Sequence, residues 1–216
     1  MTDETNEERY FTPLAAAYVR GKLTVPEDLL DEEIVALGRA EGLRLHKFKR
    51  QTELPRVKKV LGILQGLAPL SLLDIGSGRG TFLWPLLDTF PYLEVTALDV
   101  NPIRVEDINA VQRGGIENVC ALEMDATVID LEDNSVDVVT ALEVLEHLEQ
   151  PHQAAQEIVR VAGKFVVASV PSKEDDNPEH IQLFDQASFE WLWLEAGASS
   201  VKIEYVLNHI IAVVKV

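Results

Sequence analysis

The chain has 216 residues, 47% of them hydrophobic and 25% charged, so one domain of ordinary size can bury a core. A single cysteine, Cys120, excludes a disulfide-stapled scaffold and is compatible with a reducing cytosol, while the net charge of −17 opposes nucleic acid as a partner. Residues 1–8 are acidic and polar, without the basic start and apolar core of a secretion signal, and no apolar run reaches the roughly 18 residues of a membrane span. A cytoplasmic protein with no membrane partner is expected.

In chain order, residues 1 to about 50 carry helix-like patches at 13–19 and 27–39, interrupted by Gly21, Pro26, Gly38 and Gly42. They read as an N-terminal helical cap or lid over residues 1–50, ahead of a main domain at 51–216. Tyr10, Phe11 and Tyr18 are the aromatics such a lid would close with. Residues 44–59 reverse the sign of the chain, with seven Lys and Arg against Glu53 alone. A charged run is ordinarily a solvated helix face; in a second reading these cations attract a phosphate or carboxylate on a substrate.

From residue 54 a regular alternation begins. Residues 55–66 place Val57, Val60, Leu61 and Leu64 at helical spacing behind Pro55, which suits a first turn. Ser71–Ile75 is a short apolar run ending in glycines, as a buried strand does, and 81–90 is the helix after it. A second strand, 94–98, ends at Asp99; Asn101 and Pro102 then cap and start a helix that Gly114 and Gly115 close. Val119–Glu123 and Val136–Leu142 are further strands, 153–162 a helix with His152 as a surface cap, and 164–170 a fifth strand. Residues 188–196 form a helix stopped by Gly197, and Phe184, Phe189, Trp191 and Trp193 are expected to pack it on a sheet. Residues 201–206 and 210–216 are β-rich runs flanking a hairpin turn at Leu207, Asn208 and His209. Apolar strands alternating with helices specify an α/β fold, a doubly wound and mainly parallel sheet ending in an antiparallel hairpin.

In such a sheet, ligands bind beyond the carboxyl ends of the strands. There, residues 74–80 read Asp-Ile-Gly-Ser-Gly-Arg-Gly. Gly76, Gly78 and Gly80, with Ser77 among them, permit a tight bend and close approach by a ligand. A dinucleotide fingerprint spaces its glycines G-x-G-x-x-G over a pyrophosphate. Here the third glycine comes one place early, and Asp74 sets a carboxylate two residues ahead of the first. That arrangement suits a ligand with a cationic end, and S-adenosylmethionine has an ammonium and a sulfonium. Asp99, 19 residues beyond Gly80 and followed by Val100, ends the second strand. A carboxylate there can accept hydrogen bonds from both hydroxyls of a ribose.

The run at 74–80 resembles the first motif, D/E-x-G-x-G-x-G, of the class I S-adenosylmethionine-dependent methyltransferases, and the resemblance extends over roughly residues 54–216. It implies a Rossmann-like sheet of seven strands whose last two form the hairpin, and S-adenosylmethionine as the cofactor. It also implies that Asp125 and the backbone of Ala126, after the third strand, read the adenine edge.

Residues 140–147 end the fourth strand at the mouth of the expected pocket. A helical turn beginning near Glu143 would bring Glu143, Glu146 and His147 to one face, where they could ligate a divalent cation or act as a general base. The E-x-x-E-H string is similar to one in metal-assisted methyltransferases, among them small-RNA 2′-O-methyltransferases and ubiquinone-pathway O-methyltransferases. That resemblance implies His180 as a further ligand. Similar strings without a metal line the cofactor pocket, a role that also fits Glu143. Glu146, His147 and His180 are thus the catalytic candidates, and the same three with Glu143 are the metal candidates. The expected reaction is methyl transfer from S-adenosylmethionine to oxygen, nitrogen or carbon of a small-molecule acceptor. The alternatives are a metal-assisted RNA 2′-O-methyltransferase and a non-catalytic, cofactor-binding regulatory subunit.

Overall fold

The computed structural model describes residues 11–50, 54–173 and 176–216; residues 1–8, Tyr10 and Glu53 lie outside them. Seven strands form one sheet in the order β3-β2-β1-β4-β5-β7-β6. Strands β1 (Ser71–Ile75), β2 (Glu94–Asp99), β3 (Val119–Glu123), β4 (Val136–Leu142) and β5 (Ala162–Pro171) run parallel. Strand β7 (His209–Lys215) is antiparallel to both β5 and β6 (Ser200–Val206). The expected doubly wound sheet with a terminal hairpin is the observed fold.

Strand order reverses between β1 and β4, and a crevice opens at their carboxyl ends for that reason. Successive side chains of a strand point to opposite faces. Leu72 and Val138 therefore enter one core, while Leu73, Ile75, Val139 and Ala141 enter the other. The same alternation turns Asp74 and Thr140, partners in the β1–β4 register, toward the first face.

Helices α1 (Thr12–Lys22), α2 (Asp31–Ala40), α3 (Pro55–Leu67), α4 (Leu83–Thr89) and α5 (Pro102–Arg113) supply that first core. Helices α6 (Pro151–Val161) and α7 (Gln186–Glu195) cover the other. As anticipated, the Asn101 side chain caps α5 by accepting the Ile103 N–H at 3.0 Å, with Pro102 in the first turn.

Several local expectations are corrected. Gly21 and Gly38 do not interrupt helices: α1 runs through the first and α2 contains the second. A β-carbon at Gly21 would stand 1.8 Å from the Ala110 carbonyl oxygen of α5, and one at Gly114 would stand 1.7 Å from that of Ala17 in α1. The glycines let the two helices cross backbone to backbone. Phe11 and Tyr18, read as lid aromatics, are buried in the shared core. Tyr18 donates to Asp107 of α5 at 3.0 Å, and burial, reinforced by that carboxylate, holds its phenol above the ordinary range. The basic stretch is no single helix face, because a 3₁₀ turn at His46–Phe48 precedes α3. His152 lies inside α6 and pairs with Glu195 at 3.3 Å instead of capping. Phe184, Phe189 and Trp193 are buried as expected, whereas Trp191 is 58% exposed. No described helix is long and apolar enough to cross a membrane.

Candidate active site

The chain leaves β1 through the glycine loop. Gly76 has φ +68° and Gly80 φ +82°, a region that residues with a β-carbon rarely adopt. Space imposes the same choice. A β-carbon at Gly76 would lie 2.6 Å from Val144 Cγ2, and one at Gly80 would lie 2.0 Å from Trp84 Nε1. The indole is fixed against the loop because Nε1 donates to the Arg79 carbonyl at 2.9 Å.

Asp74 braces this loop from below. The Ser77 hydroxyl donates to its Oδ2 at 2.7 Å, and the Thr140 hydroxyl donates to its Oδ1 at 2.8 Å. Burial pushes the Asp74 carboxyl up to about 6, against the opposing pull of those two hydroxyls. Its carboxylate, read from sequence as answering a cationic ligand, also lines the small cavity beneath the loop.

Asp99 joins the loop to the end of β2. Its Oδ2 accepts the Gly78 N–H at 2.8 Å and its Oδ1 accepts the Asn101 N–H at 2.9 Å, with the Arg104 guanidinium 3.5 Å away. A carboxylate offers about four acceptor sites; with the long contact from Arg104 counted, one remains, and a second opens if a ligand hydroxyl takes the place of that contact. Asp99, Val100, Asp125, Ala126, Glu143 and His147 contribute to a cavity of about 580 Å³ on one side of the loop. The cavity of about 170 Å³ on the other side includes Asp74, Gly76, Ser77, Gly78 and Glu143. Gly76 and Glu143 line both, so the two spaces meet there. Gly80 lines neither of these and serves the loop through its contact with Trp84. Asp125 is held by Thr127, whose N–H and hydroxyl both donate to Oδ1 at 2.8 and 2.7 Å.

Glu143 does not begin a helical turn. Its φ is +59°, and the turn that follows is a 3₁₀ segment at Leu145–His147. Pairing with β5 explains the difference, since the Glu143 N–H donates to the Ser169 carbonyl at 2.9 Å. The Glu143 carboxylate accepts the Ser169 hydroxyl at 2.7 Å and faces His209 Nε2 at 3.1 Å. It therefore stands apart from the candidate metal group. His209, read from sequence as part of a hairpin turn, instead opens β7 opposite Pro171. No local sequence signal pointed to it.

Glu146, His147 and His180 do come together, each offering one ligand atom within 4.8 Å of the others. The two imidazole rings lie edge to face with centroids 4.8 Å apart. The loop carrying His180 is laid on the 3₁₀ turn, because the Ile181 and Gln182 N–H groups both donate to the Glu146 carbonyl, at 3.0 and 3.2 Å. His147 Nδ1 lies 2.8 Å from the Glu179 carbonyl. A carbonyl can only accept, so Nδ1 carries a proton, and in the neutral ring Nε2 is the acceptor.

The methyltransferase-domain family model matches residues 73–166, from β1 into β5. Over that stretch the chain is similar to methyltransferase domains. It is 30% identical over 110 residues to the ubiquinone biosynthesis O-methyltransferase of Cupriavidus pinatubonensis, an alignment covering 50% of this chain and 44% of that protein. The chain thus spans less than half the length of that curated relative. A SAM-dependent methyltransferase from Aquifex aeolicus superimposes with a TM-score of 0.60 at 24% identity, over 76% of this chain and 90% of that one. The methyltransferase domain of bacterial CtHen1-C gives 0.60 at 19% identity, over 75% and 97%. These structural likenesses concern the fold.

Asp74, Asp99, Asp125, Glu143, Glu146 and His147 all fall within the matched methyltransferase stretch. His180 and His209 fall beyond it and reach the candidate site by two routes. The first returns on the loop before α7, and the second opens the antiparallel strand beside β5.

Proposed function

We propose that this methyltransferase domain transfers the methyl group of S-adenosylmethionine to a small-molecule acceptor. The observation that carries the reading is Asp99, a carboxylate tied to the Gly78 N–H at the edge of a cavity of about 580 Å³, where only the 3.5 Å contact from Arg104 competes with a ligand. A carboxylate so placed suits the two hydroxyls of a ribose. Asp125, with Ala126 and Val100 nearby, is positioned for an adenine, and the smaller cavity over Asp74 for the amino-acid end. The donor, when bound, supplies a methyl group that is already electrophilic. What the chain must add is alignment of the acceptor, exclusion of water and removal of a proton where the acceptor carries one.

Glu143 stands where the two cavities meet, oriented by Ser169 and His209. Glu146, His147 and His180 are proposed to act on the acceptor, either as acid and base or as ligands of a divalent cation. Two features support the metal reading. The donor set, one carboxylate and two imidazoles, suits a transition metal, and His147 presents Nε2 while Nδ1 is bonded to a carbonyl, as metal-bound imidazoles usually are. The RNA-directed alternative would use the same cluster, and the net charge of −17 counts against it.

Calorimetry with S-adenosylhomocysteine tests the reading. Loss of one charge-assisted contact predicts binding at least about tenfold weaker for Asp99→Ala. An affinity that does not change, or no binding by the unaltered protein, overturns it. Cofactor binding without turnover across a broad acceptor panel points instead to the regulatory alternative.

A further inference from the structure

A third cavity, of about 300 Å³, opens on the far side of the glycine loop, between the segment that ends α4's first turn and the turn at His46–Phe48. Among the described residues its charged lining is Lys47, Lys49, Arg50 and Arg79, with His46 beside them, in a chain whose acids outnumber its Lys and Arg 36 to 19. Cations gathered at the wall of a cavity focus a positive potential within it.

The cations differ in how they are held. Lys47 is paired with Asp107, and Arg50 lies against Asp88 at 3.0 Å with its guanidinium 4.5 Å from the centre of the Phe11 ring. Among the described residues, Lys49 and Arg79 form no ion pair. Most of the remaining wall is apolar, from Phe11, Leu54, Val57, Trp84 and Pro85, with Gly80 and Thr81 completing it. Val57, Arg79 and Thr81 line both this cavity and the small cavity over Asp74, so the two are neighbours.

We propose that this cavity is an anion subsite, which seats the carboxylate or phosphate of the methyl acceptor while the acceptor's apolar body lies against Phe11 and Trp84. The proposal rests on the methyl-transfer reading and adds the acceptor's chemical class. A space of about 300 Å³ is at the lower end of small-ligand sites, which favours a small molecule over a polymer. The acidity of the whole chain repels a polyanion while the local field still draws in a short anion.

The test is calorimetry on the full chain loaded with S-adenosylhomocysteine, titrated with phenyl phosphate, benzoate and neutral benzyl alcohol. Saturable binding of either anion, with benzyl alcohol at least about tenfold weaker, is the expected result. The tighter of the two anions assigns phosphate or carboxylate. Lys49→Glu should weaken the anion about tenfold and leave the melting temperature and S-adenosylhomocysteine affinity unchanged. Equal binding of benzyl alcohol, displacement of the anion by S-adenosylhomocysteine, or indifference to Lys49→Glu overturns the subsite. So does a short single-stranded RNA that binds more tightly than either anion. S-Adenosylhomocysteine binding with no anion binding overturns the subsite alone, whereas loss of S-adenosylhomocysteine binding overturns the methyl-transfer reading and the subsite with it.

Discussion

Glu143 Oε2 and His209 Nε2 stand 3.1 Å apart, which ties the end of β4 to the start of β7 across the intervening β5. Ser169 of β5 donates to the other carboxylate oxygen, so three strands fix one side chain at the junction of the two cavities. A glutamate at φ +59° stores backbone strain of order 1–3 kcal/mol, which this network offsets.

His209→Ala removes one of the two partners that orient Glu143. A hydrogen bond contributes a net of about 0.5–1.5 kcal/mol, so S-adenosylhomocysteine binding should weaken roughly threefold to tenfold. His209→Gln restores a donor and should recover most of the loss. Calorimetry on both variants checks this, and equal losses would show that the hydrogen bond is not the cause.

Asp74 predicts a pH dependence of opposite sign to that of most carboxylates. Its ordinary value is 3.8, and burial raises it to about 6 in the folded protein. Between these values the native state holds a proton that the unfolded chain releases. Stability from this group is therefore greatest below the unfolded value and declines as pH rises toward about 6. Asp74→Asn should abolish the decline, so its urea midpoint should gain on the unaltered protein between pH 4.5 and 7. Parallel curves would count against the assignment. A cationic ligand end favours the ionised form, so S-adenosylmethionine should bind more tightly at pH 7 than at pH 5, and the variant should lack that difference.

Gly80→Ala combines a positive φ with a contact 2.0 Å from Trp84 Nε1. The expected cost is about 2–4 kcal/mol, from strain and overpacking together. Adding Trp84→Phe removes the nearest atom and should restore part of the melting temperature. A single variant as stable as the unaltered protein would mean that the loop shifts to accept the methyl group.

Chelation separates the two roles proposed for Glu146, His147 and His180. With a metal, activity should be lost in chelator and return on adding a divalent cation, and Glu146→Ala and His147→Ala should each bind the added cation more weakly. Full activity in chelator removes the metal. If His147→Ala then still loses turnover, the imidazole is acting as acid or base.

Much of the domain could be read along the chain. Strands Ser71–Ile75, Val119–Glu123 and Val136–Leu142 lie where a continuous apolar run places a buried strand, and the Asn101–Pro102 cap opens α5. These features depend on near neighbours: turn residues, caps and burial on both faces of a sheet. Gly21 and Gly38 defeated the same reasoning. A glycine that breaks a helix and one that admits a crossing helix look alike until the crossing helix is in place. Trp191 points to solvent although Phe189 and Trp193, two residues to either side, are buried, because a helix presents only part of its circumference to the sheet.

The sequence by itself determined the glycine loop, Asp99 at the end of β2, and an alternation that only a doubly wound sheet satisfies, since each follows from the local geometry of strand, turn and helix. Only the tertiary structure decided that Glu143 answers to His209 and Ser169, that Asp74 braces the loop, and that the cations around His46 share a cavity with Arg79. Those relationships join residues far apart in the chain. They exist because the order β4-β5-β7 and the packing of the N-terminal segment beside α4 bring the residues together, which no local pattern specifies.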